Sequence, residues 1–283
     1  MGLSHEPRTK VTIIDWMKSV KPKKFLGQHF LTDLQIASDI ADTVDACPAL
    51  PVLEVGPGMG VLTQFLMKKD RQLKVVELDH ESIEYLHNAY PQLGENIIEA
   101  DFLRMDLHSL FDGAPFVLTG NYPYNISSQI FFKLLDCKDL IPCCTGMIQK
   151  EVAERICAGP GSKTYGILSV LLQAWFDVEY LFTVNEHVFN PPPKVKSAVI
   201  RLTRNGITDL GCDAVLLKQV VKTTFNQRRK TLRNSIKNIT GGDCPFIADA
   251  FFSKRPEQLS VQEFIDLTNM VDEYLKSRTN TSV

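Results

Sequence analysis

The chain has 283 residues, 44% of them hydrophobic and 23% charged, enough apolar material for one large domain and a small one. A net charge of −2 excludes a polycation, so any contact with nucleic acid must come from a local patch. No apolar run approaches the ~20 residues of a membrane span, and the charged stretch His5 to Lys10 is no secretory signal.

Residues 1–20 read as an extension detached from the rest of the chain, and they receive no function. From Lys21 a lysine-rich stretch leads to Gln28 and His29, held between Phe25 and Phe30. A polar pair among aromatics suggests a loop folded over a ligand. Thr32 or Asp33 then caps a helix predicted to run to about Val44. Val52 to Val55 reads as a strand. It enters the turn Gly56-Pro57-Gly58-Met59-Gly60, and a helix starts over Val61 to Leu66. Glycines at these places let the backbone turn tightly and approach a ligand closely. The next strand, Leu73 to Val76, ends in Glu77-Leu78-Asp79. Glu77 is placed to accept from both ribose hydroxyls of a nucleoside cofactor. A helix from about His80 to Tyr90 and a strand from Asn96 to Ala100 come next. At the end of that strand Asp101 can accept from an adenine amino group, and Phe102 can cover the ring. The alternative for Asp101 is a plain turn or cap residue.

Pro115 to Thr119 is a fourth apolar strand. It ends in Gly120-Asn121-Tyr122-Pro123-Tyr124, and Asn125 to Ser128 reads as a helix start with polar capping residues. The carboxyl end of a strand is where open α/β sheets place ligands. Asn121 offers an acceptor and a donor in one plane. Pro123 stiffens the loop and holds Tyr122 extended, which frees the Tyr122 carbonyl as a second acceptor. Tyr124 supplies a flat face. The set suits an exocyclic amino group on an aromatic base; the alternative is an ordinary strand-to-helix turn. A dinucleotide enzyme would use the glycine turn for a pyrophosphate and would not need this loop. S-adenosylmethionine has an adenosine and no phosphates, and it fits the glycine turn, the two acids and the loop together.

Further on, Cys143 to Ile148 reads as a fifth strand and Glu151 to Cys157 as a helix, with a flexible loop over Ala158 to Lys163. Phe176 to Val184 and Val195 to Thr203 read as a closing antiparallel pair. Phe189 precedes the triple proline Pro191-Pro192-Pro193 in a rigid extended segment. After Asn205-Gly206 the pattern is helical only. Lys218, Lys222, Arg228, Arg229, Lys230, Arg233 and Lys237 fall in a stretch with no Asp or Glu between Asp213 and Asp243. Such a run reads as a phosphate-binding stripe rather than a mixed solvated face. Ser260 to Leu267 opens a capped amphipathic helix. The seven cysteines are irregularly spaced and include no Cys-x-x-Cys. They read as reduced, mostly buried thiols of a cytoplasmic protein. The six scattered histidines predict no structural zinc.

Four stretches resemble the small-subunit ribosomal RNA adenine N6-dimethyltransferase family: Lys23 to Leu31, Glu54 to Gly60, Gly120 to Ser127, and Phe189 to Val199. The segment Phe225 to Lys230 also matches. These ribosome-biogenesis enzymes dimethylate two adjacent adenosines near the 3′ end of that RNA. The resemblance runs from about Lys21 to the C-terminus. It implies a Rossmann-like α/β domain over 21–204, with a mixed methyltransferase sheet of seven strands, and a helical RNA-binding domain over 205–283. It implies S-adenosylmethionine contacts at His29, Leu31, Gly56, Glu77, Asp101 and Asn121. With Gln28, Gly58, Leu78 and Phe102 these make the expected cofactor set. The expected catalytic set is Asn121, Tyr122, Pro123, Tyr124 and Phe189, with Phe189 facing the target base opposite Tyr124. The implied partner is small-subunit (16S) rRNA in a partly assembled 30S subunit, met by a monomer without membrane association. Two residues depart from the family pattern: His29 stands where Asn is usual, and Tyr122 where Leu is usual. The competing readings are a large-subunit (23S) adenine N6-methyltransferase of the antibiotic-resistance type and a non-catalytic assembly factor. Phe189 to Val199 and Phe225 to Lys230 favour the small-subunit family over the first. Intact Asn121, Tyr124, Glu77 and Asp101 argue against the second.

Overall fold

The computed structural model describes residue 23 and residues 26–242 and 244–281. The expectations for residues 1–20, and for Lys21, Lys24 and Phe25, lie outside the described residues. In chain order the elements begin with β1 (Phe30–Leu31), α1 (Leu34–Asp42), β2 (Val52–Val55), α2 (Thr63–Leu66), β3 (Leu73–Glu77) and α3 (His80–Ala89). Next come β4 (Ile97–Glu99), β5 (Val117–Thr119), α4 (Ser127–Asp136), β6 (Cys143–Gln149), α5 (Lys150–Cys157) and α6 (Ile167–Gln173). The chain continues through β7 (Phe176–Val184), β8 (Phe189–Asn190), β9 (Ser197–Arg204), α7 (Ala214–Asn226), α8 (Leu232–Ser235), α9 (Lys237–Thr240) and α10 (Val261–Thr281).

Seven strands form one sheet in the order β4-β3-β2-β5-β6-β9-β7. The pairs from β4 to β6 are parallel, and β9 runs antiparallel to both β6 and β7. This is the mixed sheet that the sequence predicts. All of β2 is buried because helices cover both faces of a parallel sheet. Alternate side chains feed opposite faces. Leu53, Val55, Leu118 and Ile148 join one apolar cluster, and Val52, Val75, Val117 and Met147 join the other. Strand order reverses at β2, which pairs with β3 on one side and β5 on the other. The crevice beyond their carboxyl ends is the place where such sheets take ligands. It receives both the glycine turn after β2 and the Asn121 loop after β5.

A third cluster gathers Leu217, Val221 and Phe225 of α7 with Phe264 and Leu267 of α10. It also takes Tyr165 and, from α6, Val170 and Leu171, so the helical region packs directly on that helix. The Ser260–Glu263 capping box predicted for α10 is present: Ser260 N–H donates to Glu263 Oε2 at 2.8 Å and Glu263 N–H to Ser260 Oγ at 3.2 Å. No helix among the described residues is long and apolar enough to cross a membrane.

The basic stretch falls on α7, α8 and α9. Two local expectations are corrected. Helix α4 begins after Ile126 with no side-chain cap. Ser127 instead donates its hydroxyl back to the Tyr124 carbonyl at 3.3 Å. The reduced-thiol reading fails for two cysteines. Cys47 and Cys143 are joined by a disulfide, with Cα atoms 5.8 Å apart and a sequence separation of 96. The fold brings the end of the turn after α1 beside the start of β6, which sequence spacing cannot show. Cys137, Cys144, Cys157, Cys212 and Cys244 are free thiols.

Candidate active site

The glycine turn forms one wall. Gly56, Gly58 and Gly60 have φ of 67°, 53° and 75°, the left-handed region that L side chains avoid. A Cβ on Gly58 would lie 3.0 Å from the Phe30 ring, and one on Gly60 would strike the Tyr90 ring. Glu77 ties this turn to the end of β3. Its Oε2 accepts from Gly58 N–H at 3.1 Å, and its Oε1 accepts from Leu78 and Asp79 N–H at 2.8 and 2.9 Å. Burial pushes the Glu77 carboxyl above its ordinary range, and the three amide bonds oppose that rise. A carboxylate has about four acceptor positions. Backbone amides take three at Glu77, so its free acceptor capacity is smaller than the two-hydroxyl role expected from the sequence.

Glu54 lies beneath the same turn, outside the site residues that the sequence singles out. It lines the pocket, its Oε2 accepts from Thr63 at 2.7 Å, and burial pushes it up to about 8. The available signal is a carboxylate inside the otherwise apolar Val52–Val55 strand.

The Asn121 loop faces this wall. Met147 N–H donates to Gly120 O at 2.9 Å and Tyr122 N–H to Met147 O at 3.0 Å, which docks the loop on β6. The backbones meet so closely that a Cβ on Gly120 would lie 2.6 Å from Val55 O, and one on Gly146 would collide with Gly120 O. Asn121 Nδ2 donates to the His29 carbonyl at 3.2 Å. That bond fixes the amide plane and leaves Oδ1 as the acceptor. Tyr122 turns its side chain into the core, 1% exposed, where its hydroxyl donates to Thr145 O at 3.0 Å beside Cys144 Sγ at 3.2 Å. What it contributes to the pocket is therefore backbone. Tyr124 is hydrogen-bonded through its hydroxyl to Ser197, and burial raises its pKa against that bond. The His29 ring stands 5.1 Å from the Tyr124 ring at 31°, and its Nδ1 is 2.8 Å from Pro191 O.

A strap closes the third side. Gln28 Oε1 accepts from Lys23 N–H at 2.9 Å, and its Nε2 donates to Asp79 Oδ2 at 3.3 Å. The Lys23 ammonium pairs with Asp79 and, at 3.1 Å, with Glu81. Burial pushes Asp79 up, but hydrogen bonds from Lys23, Ser82 and Gln28 outweigh it and hold the carboxyl below its usual range.

Gln28, His29, Leu31, Gly56, Gly58, Glu77, Leu78, Asp101, Asn121, Tyr122, Pro123 and Tyr124 all line one pocket of about 1120 Å³, its solvent mouth included. Leu78, 54% exposed, offers an apolar cover at the mouth. Asp101 is both a pocket residue and a turn residue: Oδ1 accepts from Leu103 N–H at 2.9 Å, and Oδ2 lies 3.4 Å from Arg104 Nε. Two expected members are elsewhere. Phe102 is 4% exposed in the sheet core, and Leu103 takes its place on the pocket wall, because the Asp101 turn directs the chain that way. Phe189 is 3% exposed and packs in the cluster of Leu31, Ile40 and Val184. Its strand β8 pairs with β1, Leu31 opposite Phe189, and that pairing commits the ring to the core.

The basic residues are unequally available. Lys218 Nζ donates to Asp136 at 3.1 Å, and Lys218 and Lys222 lie over the Phe132 ring at 5.8 and 5.0 Å. Arg228 donates to Ser162 O at 3.1 Å, tying the helical part to the 158–163 loop, and Arg233 donates to Ile247 O at 2.9 Å. Arg229 and Lys230 are exposed, and Lys237 is half-buried.

Residues 19–272 match the family described as ribosomal RNA adenine dimethylase. A Bacteroides thetaiotaomicron protein named ribosomal RNA small subunit methyltransferase A is 78% identical, over 93% of this chain and 98% of its own length. A Porphyromonas gingivalis protein of the same name is 58% identical, over 91% and 100%. A dimethyladenosine transferase from Plasmodium falciparum has a similar structure, with a TM-score of 0.72 at 25% identity, covering 87% of this chain and 98% of that one. The 23S rRNA methyltransferase ErmE matches with a TM-score of 0.61 at 28% identity, over 84% and 99%. The chain belongs to the ribosomal RNA adenine dimethylase family.

Proposed function

We propose that the protein dimethylates N6 of two adjacent adenosines near the 3′ end of small-subunit ribosomal RNA, with S-adenosylmethionine as methyl donor. The observation that carries the reading is the Asn121 amide, anchored through Nδ2 on the His29 carbonyl so that Oδ1 is left to accept. The Tyr122 carbonyl, which accepts no hydrogen bond among the described residues, stands next to it as a second acceptor.

The pocket fits the donor. Among the described residues that line it none is Lys or Arg, so it suits a nucleoside group without phosphates. The remaining acceptor positions of Glu77 and the carboxylate of Asp101 suit its hydroxyl and amino groups. When bound, S-adenosylmethionine supplies an electrophilic methyl group. Adenine N6 is a weak nucleophile because its lone pair is shared with the ring, so the protein's task is orientation. Asn121 Oδ1 and the Tyr122 carbonyl accept the two N6 hydrogens and stabilise positive charge as it develops on nitrogen. Holding the reacting atoms in place is worth up to ~7–11 kcal/mol. Neither acceptor is a base at neutral pH, so the N6 proton leaves to water.

Unstacking the target base costs a few kcal/mol, and stacking on one aromatic side chain returns ~1–3 kcal/mol. With Phe189 in the core, that face is Tyr124, held by the Ser197 hydrogen bond. The His29 ring is too near Tyr124 for a base to enter between them.

The same reading takes residues 205–283 as the RNA-binding domain, with Arg229 and Lys230 exposed on it. It takes a partly assembled 30S subunit as substrate and a cytoplasmic monomer as the working form. The test is methyl transfer from labelled S-adenosylmethionine into small subunits lacking the modification, with large-subunit RNA alongside. Label is expected as N6-dimethyladenosine in small-subunit RNA alone. Label in large-subunit RNA would contradict the reading.

A further inference from the structure

We propose that Lys133 is a positioning residue for adenine recognition: its ammonium fixes the Asp101 loop against the helix next to the Asn121 loop. The proposal rests on the reading of Asp101 as the acceptor for the adenine amino group. Lys133 lies in α4, half-buried. Its Nζ donates to Leu103 O at 3.1 Å and to Met105 O at 2.6 Å, and it sits 5.4 Å from the centre of the Phe102 ring. Three residues of the loop thus converge on one charge.

Phe102 anchors the loop in the core, but the loop's polar groups have few partners outside it. Arg104 and Met105 N–H donate to Asp101 O at 2.9 and 3.0 Å, and Leu103 N–H to Asp101 Oδ1 at 2.9 Å, all within the loop. At its start Ala100 N–H donates to Glu77 O at 3.0 Å. Beyond that point, the described hydrogen bonds that leave residues 101–105 are the two to Lys133. A compact ammonium with three donors suits two carbonyls and a ring face at once. Without it, two carbonyls would face the apolar surroundings of Phe102 unpaired, and the loop would rearrange to solvate them. Asp101 and Leu103, both on the pocket wall, would move with it. The link also runs from α4 straight to the Asn121 loop, so one side chain sets the donor's adenine site relative to the acceptor pair.

The test is a discrimination ratio, which a general loss of stability would not move. S-adenosylhomocysteine and S-inosylhomocysteine differ at the purine 6-position, amino against carbonyl. Calorimetric affinities of the wild type should favour the adenine compound. Asp101→Ala should reduce that preference, and Lys133→Met should reduce it about tenfold. Lys133→Arg, which can still reach two carbonyls, should keep it. If Lys133→Met does not fold, Lys133→Gln retains a shorter, neutral donor group and should give a smaller reduction. A full preference in Lys133→Met or Lys133→Gln, with the preference reduced in Asp101→Ala, would overturn the role of Lys133 alone. A full preference in Asp101→Ala would overturn the reading of Asp101 and the proposal together.

Discussion

Asn121 and Tyr122 are neighbours with opposite assignments. Asn121 spends its amide nitrogen on the His29 carbonyl and keeps its oxygen. Tyr122 sends its side chain into the core and keeps its backbone carbonyl for the pocket. The Tyr122 ring fills the space that Gly146 leaves, since a Cβ there would lie 2.7 Å from Tyr122 Cε2. Tyr122→Phe is expected to cost about 1 kcal/mol of stability, the worth of one buried hydrogen bond. Tyr122→Leu, the residue more usual in the family, should cost more, because the gap facing Gly146 stays open. Urea denaturation of both variants checks this, and a Leu variant as stable as the wild type would contradict it. At this scale the sequence is informative where function is local. The Asn-x-Pro-aromatic order alone points to two acceptors and a flat face. Phe102 and Phe189 mislead because an aromatic beside a motif looks the same whether its ring faces a ligand or the core. Burial decides that, and burial here comes from the Asp101 turn and from the β1–β8 pairing.

Among the elements, the central strands are legible because each is an apolar run stopped by Gly, Asp or Glu at the site. Val52–Val55 before the glycine turn and Leu73–Glu77 before Asp79 lie within a residue of expectation. Helix α6 is not legible. Its residues Leu168 to Leu172 are all buried, so no polar face marks a helical period. The β1–β8 ribbon has two residues a side and joins segments far apart in the chain, below the reach of any local pattern. The same distance hides the Cys47–Cys143 disulfide. The strap of Lys23, Gln28 and Asp79 is another long-range product, although both of its ends lie in motifs that the sequence marks.

On the scale of the whole molecule, a near-neutral protein must hold a polyanion with a local surface. The residues of the proposed surface differ in availability. Lys218 already has a carboxylate partner in Asp136, whereas Arg229 and Lys230 are exposed. Replacing Arg228 and Arg229 with Ala together should weaken RNA binding and lower the slope of log affinity against log salt by about one for each phosphate no longer neutralised. Lys218→Ala should change the slope less. An unchanged slope in the double variant would remove the stripe from the interface. The proposed reading places chemistry and RNA affinity in different parts of the chain, the crevice at the β2 and β5 ends and the helical region after Arg204. The most direct test of that division is single-turnover methyl transfer by Asn121→Ala, with RNA and S-adenosylhomocysteine binding measured on the same preparation. Removing one preorganised acceptor should slow transfer by about 100- to 1000-fold while RNA affinity holds and S-adenosylhomocysteine affinity falls far less than the rate. Transfer at the wild-type rate, or retained transfer with lost RNA binding, would contradict the account.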